Sequence, residues 1–339
     1  MRTPPLRRPR LEGLGLIPYL LAMWRPSVVV LLVAAACGKS EAPPPPPAPA
    51  PPRAAPPPVT VSPLRAIRVN ETVLNFRIAG DTGSAVVFVH GSFGTLDDWN
   101  AQVATFARSH RVLVYSRRYH PPNPPQNDRE VYAPDLHAAD LAALLQALGF
   151  GPTNIVAAGY GGYVALALAA EHREMVRTLV LVEPPVIPFL WRTPAGDSLR
   201  RSFLANVLDP ARAALARGDS IGALRTFLDG SGSAVTFDRL TPPARARILG
   251  NLYEIRRELT ADRQQYFPPL DCRGLAGLPM PVLLLQGERS PRMYHIITTE
   301  LANCLQSDTT ITIPDAGHDI HVTNPAAYNA TILRFLATH

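Results

Sequence analysis

From residue 59 to the C-terminus, short runs of β-branched and aliphatic residues alternate with longer stretches in which apolar positions recur every three or four residues. The short runs predict strands over 72–78, 85–89, 112–116, 154–158, 176–182, 282–286 and 309–313. The longer ones predict helices over 99–109, 135–148, 163–171, 294–305 and 325–336, of which 135–148 reads as strongly amphipathic. Alternation of this kind predicts an α/β fold, a mainly parallel sheet covered by helices on both faces. Between residues 184 and 275 the alternation stops. The segment there is helical and charged, with breaks at Asp209-Pro210, Gly230 to Gly232 and Pro242-Pro243. An insertion at that point lies over the carboxyl ends of the strands, where open parallel sheets bind ligands, and reads as a helical lid. An unrelated helical decoration is the other reading.

Residues 1–58 follow a different pattern. Eleven nearly all apolar residues, Pro26 to Ala36, precede Cys37. The run is too short to span a bilayer, which takes about 20 apolar residues, and fits the core of a signal peptide. Ala34, Ala35 and Ala36 before Cys37 resemble a bacterial lipoprotein cleavage site, so residues 1–36 are expected to be removed and Cys37 to carry lipid. Residues 37–58 then form a proline-rich tether. Proline removes backbone donors and fixes φ, so at roughly 3.1 Å per residue the stretch 42–58 reaches about 50 Å as a polyproline spacer. The expected location is outside the cytoplasm, in the periplasm or at the cell exterior, with the membrane reached through the lipid anchor.

Composition changes the picture once it is divided the same way. The chain has 339 residues, 47% of them apolar, enough for a large core and too many for a small disulfide scaffold. Its net charge of +6 suggests a basic protein. Yet residues 1–58 hold seven basic and two acidic side chains and 16 of the 37 prolines, leaving 26 basic against 25 acidic for the rest. The folded part is near neutral, which argues against nucleic acid as a partner. With Cys37 lipidated, Cys272 and Cys304 remain as an even pair, and in an oxidising compartment a disulfide between them is one outcome. Neither has the spacing of a metal site, and no phosphate loop or dinucleotide fingerprint is present, so no cofactor is expected.

Three local motifs fall in one order. His90-Gly91-Ser92-Phe93-Gly94 follows the strand AVVFV, Ala157-Ala158-Gly159-Tyr160-Gly161-Gly162 joins a strand to a helix, and Ala316-Gly317-His318 follows TTITI. Together with the lid, residues 72–337 resemble the α/β-hydrolase superfamily, and within it the lid-bearing esterase, epoxide-hydrolase and dehalogenase-like group. The resemblance implies a mainly parallel eight-stranded sheet with the lid inserted after the sixth strand. It also implies a nucleophile at the centre of a G-x-S-x-G turn, on a sharp strand-to-helix elbow. Here that position is Gly159, which has no side chain. An oxyanion hole of backbone N–H groups is implied at Tyr160 and at Ser92 or Phe93.

His318 is the implied general base. At the usual position of its acidic partner the chain has Ser290, leaving Glu183 at the end of the sixth strand, Glu288, or neither to orient it. His321 reads as a surface or lid contact and Trp99 as helix packing. The run Arg117-Arg118-Tyr119-His120 reads either as an anion-binding element or as an exposed charged loop. The resulting expectation is a degenerate member, a pseudoenzyme that binds a small carbonyl-containing ligand. The alternatives are a hydrolase or esterase, and a cofactor-free lyase or oxygenase-like enzyme in which His318 acts with Glu183. No motif fixes the ligand or an oligomeric state.

Overall fold

The computed structural model describes residues 59–126, 130–233, 235–306 and 309–339. The expected signal segment, Cys37 and the tether lie outside the described residues. Eight strands form one sheet: β1 (Arg65–Val69), β2 (Thr72–Ala79), β3 (Ala85–Val89), β4 (Arg111–Tyr115), β5 (Thr153–Ala158), β6 (Val176–Val182), β7 (Val282–Gly287) and β8 (Thr310–Ile313). Their order is β1-β2-β4-β3-β5-β6-β7-β8. The pairs β1·β2 and β2·β4 are antiparallel, and all the others are parallel. From β3 the chain steps to β4 on one side and then to β5 on the other. The direction of winding therefore reverses between β3 and β5, and a crevice opens at their carboxyl ends.

The central strands have the burial their sequences require. Every residue of β5 is buried, and in β6 only Arg177 is exposed. Strands covered on both faces are continuously apolar rather than alternating. Alternation persists in where the side chains go. Val87 and Val89 join a core with α2 (Pro134–Ala147), α3 (Tyr160–Glu171) and α11 (Arg292–Leu305). Val86 and Phe88 join one with α1 (Asn100–Phe106) and α13 (Pro325–Thr338). The edge strand β1 has no counterpart in the pattern read from sequence, because only Val69 of its five residues is fully buried.

Two elements depart from their sequence reading. The helix expected over 99–109 is shorter, since a 3₁₀ turn at Leu96–Trp99, capped by Thr95 with Asp98 returning the bond, takes its start. The helix α2 is not simply amphipathic. His137 and Asp140 are buried along with Leu141, Leu144 and Leu145, and Arg118 clamps Asp140 through two hydrogen bonds of 2.6 and 2.7 Å. Tyr119 and Tyr132 pack on His137.

Between β6 and β7 lie α4 (Pro194–Phe203), α5 (Asp209–Ala216), α6 (Ser220–Gly230), α7 (Pro242–Gly250), α8 (Leu252–Thr260), α9 (Arg263–Tyr266) and α10 (Cys272–Ala276). They meet the core at the carboxyl ends of the strands. Asn251 donates to the Phe93 carbonyl at 3.1 Å, Ser233 to Asp319 at 3.1 Å, and Arg247 pairs with Asp98. Burial of Asp98 pushes its pKa up to about 6 despite Arg247. Cys272 and Cys304 are joined in a disulfide that ties α10 to α11, and Arg192 approaches both sulfurs. Among the described residues no helix is long and apolar enough to cross a membrane.

Candidate functional site

At the carboxyl end of β5 the chain turns at Gly159, with φ 52° and ψ −130°, and α3 begins at the next residue. A positive φ is costly for residues with a Cβ and free for glycine. The turn is tight because α3 packs directly on the end of β3. A Cβ at Gly161 would lie 2.4 Å from the Val89 carbonyl oxygen and 2.5 Å from that of His90, so this position accepts only hydrogen. The loop after β3 leans on the same turn, with the Cβ direction of Gly91 ending 3.1 Å from the Ala158 carbonyl and 3.6 Å from the Tyr160 nitrogen. Tyr160 N–H, the first of α3, and the N–H groups of Ser92 and Phe93 thus belong to two segments in contact.

Opposite the turn stands His318, in the loop between β8 and α12 (Ile320–Thr323). Its Nδ1 lies 2.7 Å from Oε2 of Glu183, which follows β6 with φ 45°. The other Glu183 oxygen accepts from the Gly287 N–H at 2.7 Å, so both ends of the carboxylate are held. The carboxylate fixes the imidazole proton on Nδ1 and leaves Nε2 facing the turn. An ideal Cβ on Gly159 would be 3.6 Å from that Nε2 and 3.7 Å from Gly91 Cα, with ordinary room around it. Burial works to lower the His318 pKa, but the hydrogen bond and charge of Glu183, with Asp319, outweigh it and raise the value. The ring is stacked on Tyr294, 4.1 Å between centres and 14° between planes.

The other candidates are placed as follows. Glu288 is exposed and accepts from the Asp315 N–H at 2.9 Å, while Glu183 is the carboxylate bonded to His318. Ser290 is buried, and among the described residues its hydroxyl has no partner. Ser92 donates to Oε1 of Glu258 in α8 at 2.6 Å. Trp99 is wholly buried between Phe88 and His321, at 4.9 and 4.7 Å between ring centres. His321 is thereby corrected from a surface contact to a packed ring, and burial pushes its pKa down to about 4. The run Arg117 to His120 is not an exposed loop: all four side chains are buried. Arg118 is neutralised by Asp140, and the His120 Nδ1 lies 2.9 Å from the Gly94 carbonyl.

Sequence reasoning missed a polar layer between the lid and the core. Glu254 and Glu258, one turn apart on α8, are both fully buried. Tyr132 donates to Glu254 Oε1 at 2.6 Å, and Tyr266 together with Ser92 donates to Glu258 Oε1. Among the described residues the second oxygen of each carboxylate finds no partner as an acceptor. A proton on Glu254, bonded toward Glu258, relieves the cost of burying like charges side by side. Accordingly the Glu254 pKa is raised well above the ordinary range, first by burial and then by Glu258, with Arg117 only partly offsetting them. The signal available in sequence was positional: 254 and 258 share a helical face with the apolar Ile255 and Leu259.

Comparison with known proteins gives a consistent picture. Residues 84–325 match the family model described as alpha/beta hydrolase fold. The sn-1-specific diacylglycerol lipase of Mus musculus is 24% identical over 266 residues, covering 75% of this chain and 81% of the lipase. Two solved structures share the fold. A thermophilic esterase from Thermogutta terrifontis has a TM-score of 0.63 at 23% identity, covering 82% of this chain and 99% of the esterase. The carboxylesterase CesB of Bacillus subtilis has a TM-score of 0.61 at 16% identity, covering 81% and 92%.

Proposed function

We propose, from the premise that the chain belongs to the alpha/beta hydrolase fold family, that it is a member without a covalent nucleophile that binds a small carbonyl-containing ligand. The ligand sits between Gly159 and His318, beneath the lid. The observation that carries this reading is bare backbone at 159, with the position of a would-be Cβ 3.6 Å from the Nε2 of a histidine still paired with Glu183. The groups that recognise a carbonyl are in place, while the atom that attacks one is missing. Tyr160 N–H and the Ser92 or Phe93 N–H receive the carbonyl oxygen, and His318, its proton affinity raised, donates from Nε2 when charged. The lipase and esterase activities named for the similar proteins suggest esters and related acyl compounds as the ligand class.

The test is p-nitrophenyl butyrate hydrolysis by the full chain beside its His318→Ala variant. Slow rates without a burst are expected for both, lower by at most a few-fold where the His318 donor is removed, since binding and polarisation alone give only weak turnover. Wild-type turnover that disappears in His318→Ala overturns the binding role. The oriented Glu183–His318 pair favours that second reading, in which His318 takes a proton from water or from carbon next to a carbonyl, as a hydrolase, lyase or oxygenase-like enzyme would require. Such turnover rises with pH as His318 loses its proton.

The same protein is proposed to be exported and held at a membrane through lipid on Cys37, with the proline-rich tract as spacer. Cys37→Ala is then expected to move the protein from the membrane fraction to the soluble one. Unchanged fractionation contradicts the anchor.

A further inference from the structure

A buried cation lies under the loop that follows β3. Arg117 is 1% exposed, and among the described residues the carboxylate whose charge acts on it is Glu254, which it meets through Tyr132 rather than in a direct ion pair. Its Nε donates to the His90 carbonyl at 2.9 Å and its Nη2 to the Gly91 carbonyl at 3.0 Å. Its Nη1 reaches the Tyr132 hydroxyl at 3.4 Å, and its own N–H donates to His90 Nε2 at 2.9 Å. The guanidinium lies 5.4 Å from the centre of the Tyr160 ring. Burying a full charge without a direct counter-ion is expensive, and a neutral amide would bond a carbonyl just as well in so dry a place. Glu254 acts on the charge only through Tyr132, so a direct role for the charge is to be found in the other bonds of the guanidinium.

The two carbonyls supply one. Each belongs to a peptide unit whose N–H sits on the following residue, so the Gly91 carbonyl is conjugated with the Ser92 N–H. A cationic donor on the oxygen draws electron density through the amide and strengthens its N–H as a donor, and a low dielectric keeps the effect large. His90 and His120 add no competing charge. Burial first, and the Arg117 charge second, hold both well below the ordinary histidine range.

We propose that Arg117 is a positioning residue that, through the His90 and Gly91 carbonyls, fixes the β3 loop and polarises the Ser92 N–H toward a ligand oxygen on which negative charge gathers. The inference rests on the reading of that loop as the oxyanion-binding side of the site. It narrows the ligand to carbonyl compounds whose oxygen becomes anionic, as in an enolate or a tetrahedral adduct.

The test uses the ¹⁵N-labelled full chain with Arg117→Gln and Arg117→Lys. The Ser92 amide proton is expected to move upfield in the Gln variant, where the charge is lost, and to return toward wild type with Lys. In a Gly159→Ser background, kcat on p-nitrophenyl acetate is expected to fall about 10- to 100-fold with Arg117→Gln at little change in KM, and Lys is expected to recover most of it. A Ser92 amide that stays put in a folded Gln variant overturns the inference, as do equal losses with Gln and Lys. Should the Gln variant not fold, the wild type decides: an Arg117 Nε–H exchanging rapidly with water is incompatible with the buried bonds, whereas a slowly exchanging one, with the Lys variant keeping the Ser92 shift, supports them. If Gly159→Ser turns over no ester while the Ser92 amide shifts as expected, the polarisation stands and the ester-site reading fails.

Discussion

Gly159→Ser is expected to raise p-nitrophenyl ester hydrolysis by about 10³-fold or more over the unsubstituted chain, with a burst that reports an acyl-enzyme. The new Cβ meets no obstacle, since its nearest neighbour is His318 Nε2 at 3.6 Å. One C–O bond further, the hydroxyl comes within about 2.6–3.2 Å of that nitrogen, the reach a general base needs. His318 is already oriented by Glu183, so a single side chain completes a nucleophile, base and acid set. The substitution forces a non-glycine residue to φ 52°, which costs of the order of 1–3 kcal/mol and should lower the melting temperature. Adding His318→Ala should abolish the gain. A folded Gly159→Ser protein with no new activity would mean that the turn and the imidazole do not face each other as described.

The second large effect is a pH dependence of stability that belongs to the lid. The Glu254 pKa is raised in the folded protein by burial and by Glu258, whereas in the unfolded chain a Glu titrates near about 4.3. A raised folded value means stability that is complete below about pH 4.3 and declines as pH rises toward the folded pKa, by up to about 1.4 kcal/mol per pH unit for one proton. Other groups slope too. The lowered values of His90, His120, His137 and His321 add stability as pH rises toward about 6.5, and His318, raised, does the opposite above it. Glu254→Gln isolates the carboxyl pair, because a neutral amide mimics the protonated acid, and of those histidines only His120, 3.4 Å from Glu254 Oε1, lies beside it. The stability difference between Glu254→Gln and wild type, from urea titrations at several pH values, is expected to grow in favour of the variant with rising pH. A constant difference contradicts a proton held on Glu254.

Much of the fold could be read from the chain because its central strands are buried on both faces. Residues 85–89 are apolar throughout and 176–182 are apolar but for Arg177 and Thr178, and both runs have those bounds in the structure. The edge strand β1 escaped notice because RAIRV puts three exposed residues among five, so no pattern forms where only one neighbour pairs. The site divides in the same way. Gly159 and His318 stand at positions set by local turns, which leave marks in sequence. The choice of Glu183 over Glu288 depends on which carboxylate faces across from β6 and β7, a matter of strand order rather than local pattern. The buried network of Arg117, Glu254, Glu258, Tyr132 and Tyr266 left only the shared helical face of 254 and 258 as a mark, since charged residues on helices and loops look like solvated faces until the lid is folded over them.

The most direct measurement is the intact mass of the full chain after incubation with a fluorophosphonate, beside Gly159→Ser treated identically. The account predicts no added mass on the natural sequence and one phosphonyl group on the serine variant, at residue 159. A phosphonyl group found on the natural chain at any side chain under the lid, and lost with His318→Ala, would contradict it.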